Sequence, residues 1–196
     1  MKLCSQRILK VAGLSGVISP LIGLLMIYIA ILNSPWFGWR ENALSDLGVS
    51  GIASVFFNSG LIVSGVLIIF FSVGLREALK KTLLGNIGSI LLTLDGLSLM
   101  MIGFFPETCG LIHLYVSVSF FTLLPISLSL IGVTLLRNFQ KRVLGIFTLI
   151  VGFITIIAWL IPVNEVAIAE IASSLAASIW LITIGVGLYK RIFLNP

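Results

Sequence analysis

One carboxylic acid, Asp95, stands inside a long apolar stretch of the sequence, LLTLDGLSLMM. It lies about ten residues from the far end of that stretch, which is roughly 14 Å along a helix. An ionised carboxylate at this depth in hydrocarbon costs at least ~2.5–3.5 kcal/mol, so the side chain must meet protein or water, or keep its proton. Two roles fit. Asp95 is a proton carrier or polar substrate contact, or it is a neutral acid hydrogen-bonded to Asn58, Ser98 or a backbone carbonyl.

A second group of ionisable residues lies near the ends of the apolar stretches: Arg40, Glu41, Asp46, Glu107, His113, Glu165 and Glu170. A carboxylate within hydrogen-bond reach of His113 would orient it as a general base, or as part of a headgroup or ion site. Ser117 follows one helical turn later and offers the hydroxyl that a serine hydrolase needs, although this spacing is common in a Ser-rich chain. The alternative is a solvated rim in which one carboxylate anchors the histidine.

No cofactor motif accompanies these residues. The sequence contains no phosphate-binding loop, dinucleotide fingerprint or HExxH motif. It has two cysteines and one histidine, and neither cysteine belongs to a cluster with metal-ligand spacing. We therefore expect no metal and no cofactor.

The composition decides which elements must position these side chains. Of the 196 residues, 59% are apolar and 10% charged, with a mean hydropathy of +1.20. These values exclude a disordered chain and an ordinary soluble domain, which carries about 25% charged residues. About 20 apolar residues cross the hydrocarbon core as a helix. Six stretches are long enough, near residues 11–32, 52–74, 83–105, 111–136, 143–162 and 166–189.

Most connections between these stretches are too short to hold a soluble domain, so each helix must return beside its predecessor. The predicted fold class is therefore all-α: a polytopic membrane protein whose residues 1–196 form one domain, an antiparallel bundle of six transmembrane helices.

The distribution of basic residues predicts the orientation of the bundle. All but one of the 12 Lys and Arg residues lie near the termini or in the connections on the same side, and Arg40 alone lies on the other. This bias places both termini in the cytoplasm of a multi-pass plasma-membrane protein. Since these residues account for the net charge of +5 beside anionic headgroups, we expect membrane lipid as a partner and no nucleic acid.

The longest connection covers residues 33–51 on the predicted outer side. Its Trp36, Phe37 and Trp39 are typical of the headgroup level, and its charged residues require water. The pattern predicts a short interfacial helix across the mouth of the bundle. It is either a functional lid or a simple aromatic anchor.

Small and polar residues recur on one face of each predicted helix. In lipid such residues let helix backbones approach closely, so these faces are predicted to meet inside the bundle. An alternative applies to the sixth helix. If Ser174, Ala177 and Ser178 face outward, they would form a homo-oligomer contact of a purely structural assembly partner.

Three segments of the sequence resemble a known family: FFNSGLIVSGVLIIFFSVGLREAL, GNIGSILLTLDGLSLMMIGFFPE and HLYVSVSFFTLLPISLSLIG. The family is domain of unknown function 998, a six-helix membrane family common in archaea and also found in bacteria. The resemblance covers about residues 42–152. Its most specific parts are Asn58-x-Gly60, the segment 103–107, and His113 followed by Phe120 and Phe121.

The resemblance implies a six-helix bundle without an assigned activity. Asn58, Glu107 and His113 carry over as motif positions with no roles attached. Asp95 departs from the pattern, which favours a small residue at that place. A proton-carrying Asp95 would therefore be peculiar to this protein.

These observations lead to one leading hypothesis and two rivals. The leading hypothesis is a lipid or small amphiphile bound in an outward-facing polar cavity, lined by Asn58, Asp95, Glu107, His113 and Glu170. The first rival is a small proton-linked transporter or channel, whose flux should disappear in Asp95→Asn. The second rival is an enzyme acting on lipid headgroups through Glu107 and His113, with Ser117 as a further candidate.

Overall fold

The computed structural model describes residues 2–160 and 166–190, with side chains from residue 6 onward. The described residues form six α-helices, and no strand occurs among them. Their bounds are α1 Lys2–Leu32, α2 Gly51–Leu79, α3 Leu83–Phe104, α4 Leu111–Leu136, α5 Arg142–Leu160 and α6 Val166–Tyr189. Each contains a segment apolar and long enough to span a membrane. The predicted all-α, six-helix membrane fold is confirmed.

Two helices extend further than their apolar stretches. α1 begins at Lys2 instead of near residue 11, and α2 ends at Leu79 instead of near residue 74. The added residues include Arg7 and Arg76, and neither extension contains proline. Lys, Arg, Gln and Leu favour helix, so the backbone continues past the point where hydropathy falls.

The helices form a closed ring. Each packs against its neighbours in sequence, and α1 also packs against α6. The antiparallel order brings residues 33–50, 105–110 and the start of α6 to one end. We call this the outer end, following the predicted orientation, and the opposite end the inner end.

Small residues allow this close packing, as predicted. A Cβ atom added at Gly65 on α2 would lie 2.5 Å from the carbonyl oxygen of Gly96 on α3. One added at Gly13 on α1 would lie 2.7 Å from the carbonyl oxygen of Gly185 on α6. Because these neighbours are backbone atoms, no side-chain movement would relieve the overlap.

Polar side chains reinforce the helix contacts. The hydroxyl of Ser19 on α1 donates to the carbonyl of Ser64 on α2, and that of Ser64 donates back to the carbonyl of Ser19, both at 3.0 Å. Trp180 on α6 donates to Thr148 on α5 at 3.0 Å and meets Phe71 edge to face. Such bonds are worth about 0.6 kcal/mol each on average in a membrane interior.

The short helix predicted for residues 33–51 is present only as a 3-10 turn. The segment contains only a five-residue 3-10 turn at Leu44–Gly48, because Pro35 and Gly38 interrupt any longer helix. Leu44 and Leu47 are buried, and the two indoles of Trp36 and Trp39 remain exposed. The segment therefore covers the mouth of the bundle and inserts its two leucines into it.

Candidate functional site

A turn at the outer end closes the mouth of the bundle, and we call its residues 42–48 the outer cap. Asp46 organises it. One carboxylate oxygen of Asp46 accepts from the side-chain amide of Asn42 and from the backbone N–H of Ala43, both at 3.0 Å. Leu47 is fully buried beneath this turn. The cap thus combines a polar outer surface with an apolar underside.

Two of the residues predicted from the sequence anchor the cap. The side-chain amide of Asn58 on α2 donates to the carbonyl of Gly48 at 3.0 Å. A carboxylate oxygen of Glu170 on α6 accepts from the backbone N–H of Leu44 at 2.6 Å. Both groups therefore satisfy backbone atoms of the cap that lack a helical partner.

Glu107 is a third residue that contacts the cap. It begins the short 3-10 turn Glu107–Cys109 between α3 and α4, and it accepts from the hydroxyl of Ser45 at 3.4 Å. Burial raises the pKa of Glu107, and the hydrogen bond and charge repulsion from Asp46 raise it further. The hydroxyl of Ser45 acts in the opposite direction, and so would a positive charge on His113. Glu107 is thus a carboxyl group shared between the cap and the α3–α4 turn.

His113, on the first turn of α4, is oriented by the backbone. Its Nδ1 lies 2.8 Å from the carbonyl oxygen of Phe105, and its Nε2 lies 3.3 Å from the hydroxyl of Ser117. The sequence predicted a carboxylate as the orienting partner of His113. The structure corrects this, because the chain turns sharply after α3 and brings the free carbonyl at its end beneath α4.

Two cavities lie between α1, α2, α3, α4 and α6. The larger has a volume of about 70 Å³ and is lined mainly by apolar side chains, with Ser19, Ser64, Ser174 and Ser178 among them. The smaller, about 40 Å³, lies under the outer cap and includes Ser45, Ser117, Glu170 and Ser174 in its lining. The two share five lining residues: Ile27, Leu61, Leu99, Phe120 and Ser174. They therefore adjoin, with the polar end toward the cap.

The predicted cavity lining is only partly assembled. Of the five candidate residues, Glu170 alone lines either cavity. Asn58, Glu107 and His113 lie at the same end but contact the cap, the α3–α4 turn or Ser117 instead. Ser45 completes the lining, and no feature of the sequence distinguishes it from other serines of the loop.

Asp95 stands apart from this site. It is 1% exposed, it lines neither cavity, and its Oδ1 has no hydrogen-bond partner among the described residues. The partners considered from the sequence are engaged elsewhere, since Ser98 donates to the carbonyl of Leu94 and Asn58 to that of Gly48. Asp95 is one turn below Leu99, which does line both cavities.

The remaining expectations concern α6 and the loop before it. Ala177 and Ser178 are buried and, with Ser174, line the larger cavity, so this stripe does not form an outer face of the bundle. Glu165 lies outside the described residues. Within the described part of the chain, no group of three or more His, Cys, Asp or Glu side chains is arranged to hold a metal ion.

Comparison with known proteins gives one match. The model of a family described as "Protein of unknown function (DUF998)" matches residues 17–187, from within α1 to within α6. No curated protein and no solved structure matches the chain. The matched range includes the cap, its anchors and both cavities.

Proposed function

This chain belongs to the DUF998 family, and from that premise we propose that it binds an amphiphile in the plasma membrane, with the polar head under the outer cap. The part of the tail next to the head occupies the larger cavity, between α1, α2 and α6. The observation that supports this proposal is that an apolar cavity adjoins a smaller one whose lining includes hydroxyl and carboxyl groups.

The lining of the larger cavity favours the apolar part of a ligand, because most of its side chains are apolar. Both cavity volumes exceed the ~10–15 Å³ that a single water needs. A polar head, in turn, finds hydrogen-bond partners in Ser45, Ser117 and Glu170. Small-molecule sites are typically apolar pockets with a few convergent polar groups.

The charges at the outer end favour a neutral or cationic head. Asp46 lies in the cap, Glu107 and Glu170 contact it, and Glu41 precedes it. Like charges brought together in a site cost several kcal/mol, so a phosphate or carboxylate head would be disfavoured. A head with hydroxyl groups, or an amine, fits this environment.

Native mass spectrometry of the purified protein with added monoolein tests the proposal, with oleate as the anionic comparison. We expect a monoolein adduct on the wild-type protein and a weaker one with oleate. Ser174→Leu fills the boundary between the two cavities and is expected to reduce the monoolein adduct about tenfold. That loss corresponds to roughly 1.4 kcal/mol of binding free energy.

Thr183→Leu is the matched control. Thr183 lies on the opposite face of α6, where its hydroxyl donates to the carbonyl of Ile179. Thr183→Leu introduces the same side chain as Ser174→Leu but does not fill a cavity, so the monoolein adduct should persist. Equal monoolein binding by Ser174→Leu and the wild-type protein would contradict the proposed site.

The rival transport function rests on Asp95 alone. A buried carboxyl group with an unpartnered oxygen is a reasonable proton carrier in a membrane. However, Asp95 lines neither cavity, so no described polar path connects it to the outer end. We therefore favour binding over proton-linked transport as the proposed function.

A further inference from the structure

The hydroxyl of Ser117 behaves differently from its neighbours on α4. The hydroxyls of Ser119, Thr122 and Ser129 donate to backbone carbonyls of their own helix, at 2.7, 2.7 and 2.8 Å. This is the usual arrangement of serine and threonine inside helices. Ser117 is paired instead with the side chain of His113. Its hydroxyl is therefore held by a titratable base and not by the backbone.

The hydrogen-bond partner of His113 Nδ1 determines which nitrogen of the imidazole carries the proton. The carbonyl oxygen of Phe105 can only accept a hydrogen bond, so the neutral imidazole carries its proton on Nδ1. The Nε2 atom then presents its lone pair to Ser117, whose O–H donates to it. A serine hydroxyl donating to a histidine that is oriented from its other nitrogen is the arrangement of an activated nucleophile.

The nucleophile has access to a ligand. Ser117 is half-buried and lines the smaller cavity under the cap, as do Ser45 and Glu170. His113 itself is 8% exposed and lines neither cavity, so it contacts the cavity through Ser117. A molecule in the smaller cavity would therefore meet the hydroxyl with the base behind it.

We propose that Ser117, with His113 as its general base, is an acyl-accepting nucleophile toward a carboxylic ester of the amphiphile bound under the cap. This inference rests on the proposed function, because the cavity must first hold the ester. The substrate class is a neutral ester of a fatty acid with a hydroxyl-bearing head. Attack occurs in the smaller cavity, where Ser117 is part of the lining and where the polar head is proposed to lie.

The reaction balances with water as the second reactant. Ser117 Oγ bonds to the ester carbonyl carbon and passes its proton to His113 Nε2. The bond between that carbon and the alcohol oxygen breaks, and the alcohol leaves with the proton from Nε2. Water then attacks the acyl-serine with the same base, releasing the fatty acid and restoring the hydroxyl.

Ser45 is placed to stabilise the oxygen that becomes negative during attack. Its hydroxyl lines the same cavity, and its bond to Glu107 is long at 3.4 Å. Such a hydroxyl can turn toward a developing oxyanion at small cost. Loss of one oxyanion donor reduces turnover by about 10²–10³-fold in other acyl-transfer enzymes. Ser45 would be the residue that raises the rate without forming a covalent bond.

An alkyl fluorophosphonate tests the nucleophile directly, because it phosphonylates an activated serine with loss of fluoride. The probe is added to the folded protein in detergent, and the intact mass and modified peptide are measured over time. We expect one probe on Ser117 in the wild-type protein and none in Ser117→Ala. His113→Asn should slow labelling by at least about 100-fold, since general-base catalysis contributes 10²–10⁴-fold.

Ser119→Ala is the control on the same helix, and its labelling should equal that of the wild-type protein. Ser117→Ala removes a hydroxyl that is bonded to His113 alone, so we expect this variant to fold. It therefore tests Ser117 as the labelled residue even if His113→Asn fails to fold. Modification of another residue, or an undiminished rate in Ser117→Ala, would overturn the proposal, and so would an unlabelled wild-type protein.

Monoolein binding separates this inference from the proposed function. Both readouts are taken on the wild-type protein: the phosphonate label reports the nucleophile, and the monoolein adduct reports the cavity. An adduct on an unlabelled wild-type protein leaves binding in place and refutes the nucleophile. A wild-type protein that takes the label at Ser117, but neither binds monoolein nor releases oleate from it, supports the nucleophile and refutes the proposed ligand class.

Discussion

The polar residues at the outer end act mainly on the backbone of the cap and of the α3–α4 turn. Asn58 and Glu170 bind cap atoms, and His113 binds the carbonyl of Phe105. Each of these side chains satisfies a backbone group that has no helical partner, which is costly to leave unpaired in a membrane. Glu107 differs, because its neighbours include a second carboxyl group, Asp46.

The raised pKa of Glu107 predicts a pH-dependent stability. The folded protein binds this proton more tightly than the unfolded chain does, so the associated stability is present below the unfolded pKa of 4.5. It is lost as the pH rises through the higher folded value. Glu107→Gln is neutral at every pH and is therefore expected to melt at a higher temperature than the wild-type protein at pH 7.5, and at a similar temperature at pH 4.

Thermal unfolding in detergent across this pH range measures the effect. Glu41→Gln, at an exposed carboxylate of the same loop, is the control and should give no comparable pH-dependent gain. A Glu107→Gln protein that gains stability at pH 4 but not at pH 7.5 would contradict the prediction, because the pH dependence would have the opposite sign.

At the scale of helices, the backbones approach each other more closely in some contacts of the ring than in others. The α2–α3 contact places Gly65 against the backbone of α3, with an added Cβ only 2.5 Å from the carbonyl of Gly96 and 2.7 Å from the amide nitrogen of Met100. The α4–α5 contact at Gly152 is looser. There the nearest atom to an added Cβ would be the Cβ of Leu128, at 3.3 Å.

This difference predicts results of different size for two alanine substitutions. Gly65→Ala must separate α2 from α3, and overpacking of this kind costs about 1–3 kcal/mol. Gly152→Ala requires only a small shift at Leu128 and gains helix propensity, so it should lose less stability than Gly65→Ala. Melting temperatures of the two variants in the same detergent provide the measurement. A Gly65→Ala protein as stable as Gly152→Ala would be inconsistent with this packing.

The two ends of the whole molecule differ in charge. The inner end carries basic residues on both termini and both inner connections, where Arg76 donates to Asn86 at 2.7 Å and Lys80 pairs with Glu77 at 2.7 Å. The outer end carries most of the carboxylates. The prediction that both termini lie in the cytoplasm rests on this asymmetry.

Cysteine labelling in intact cells tests this orientation. Cys109 is exposed at the outer end, so a membrane-impermeant maleimide should label it in a Cys4→Ser protein without permeabilisation. Gln140→Cys lies at the inner end and, in a protein lacking both native cysteines, should react only after permeabilisation. The reverse pattern would place the cap and its cavities on the cytoplasmic side.

The sequence alone determined the number, order and approximate ends of the helices, because the length of an apolar stretch and the charges beside it follow directly from the order of the residues. It also singled out Asn58, Glu107, His113 and Glu170, since polar groups near a membrane are expensive and therefore few. Only the tertiary structure decided their partners. The leucines of the cap insert into the bundle, a backbone carbonyl replaces the expected carboxylate at His113, and Asp95 is separated from the cavities. These outcomes depend on which helix faces meet and how each turn directs its free carbonyls, and neither follows from residue spacing within one helix.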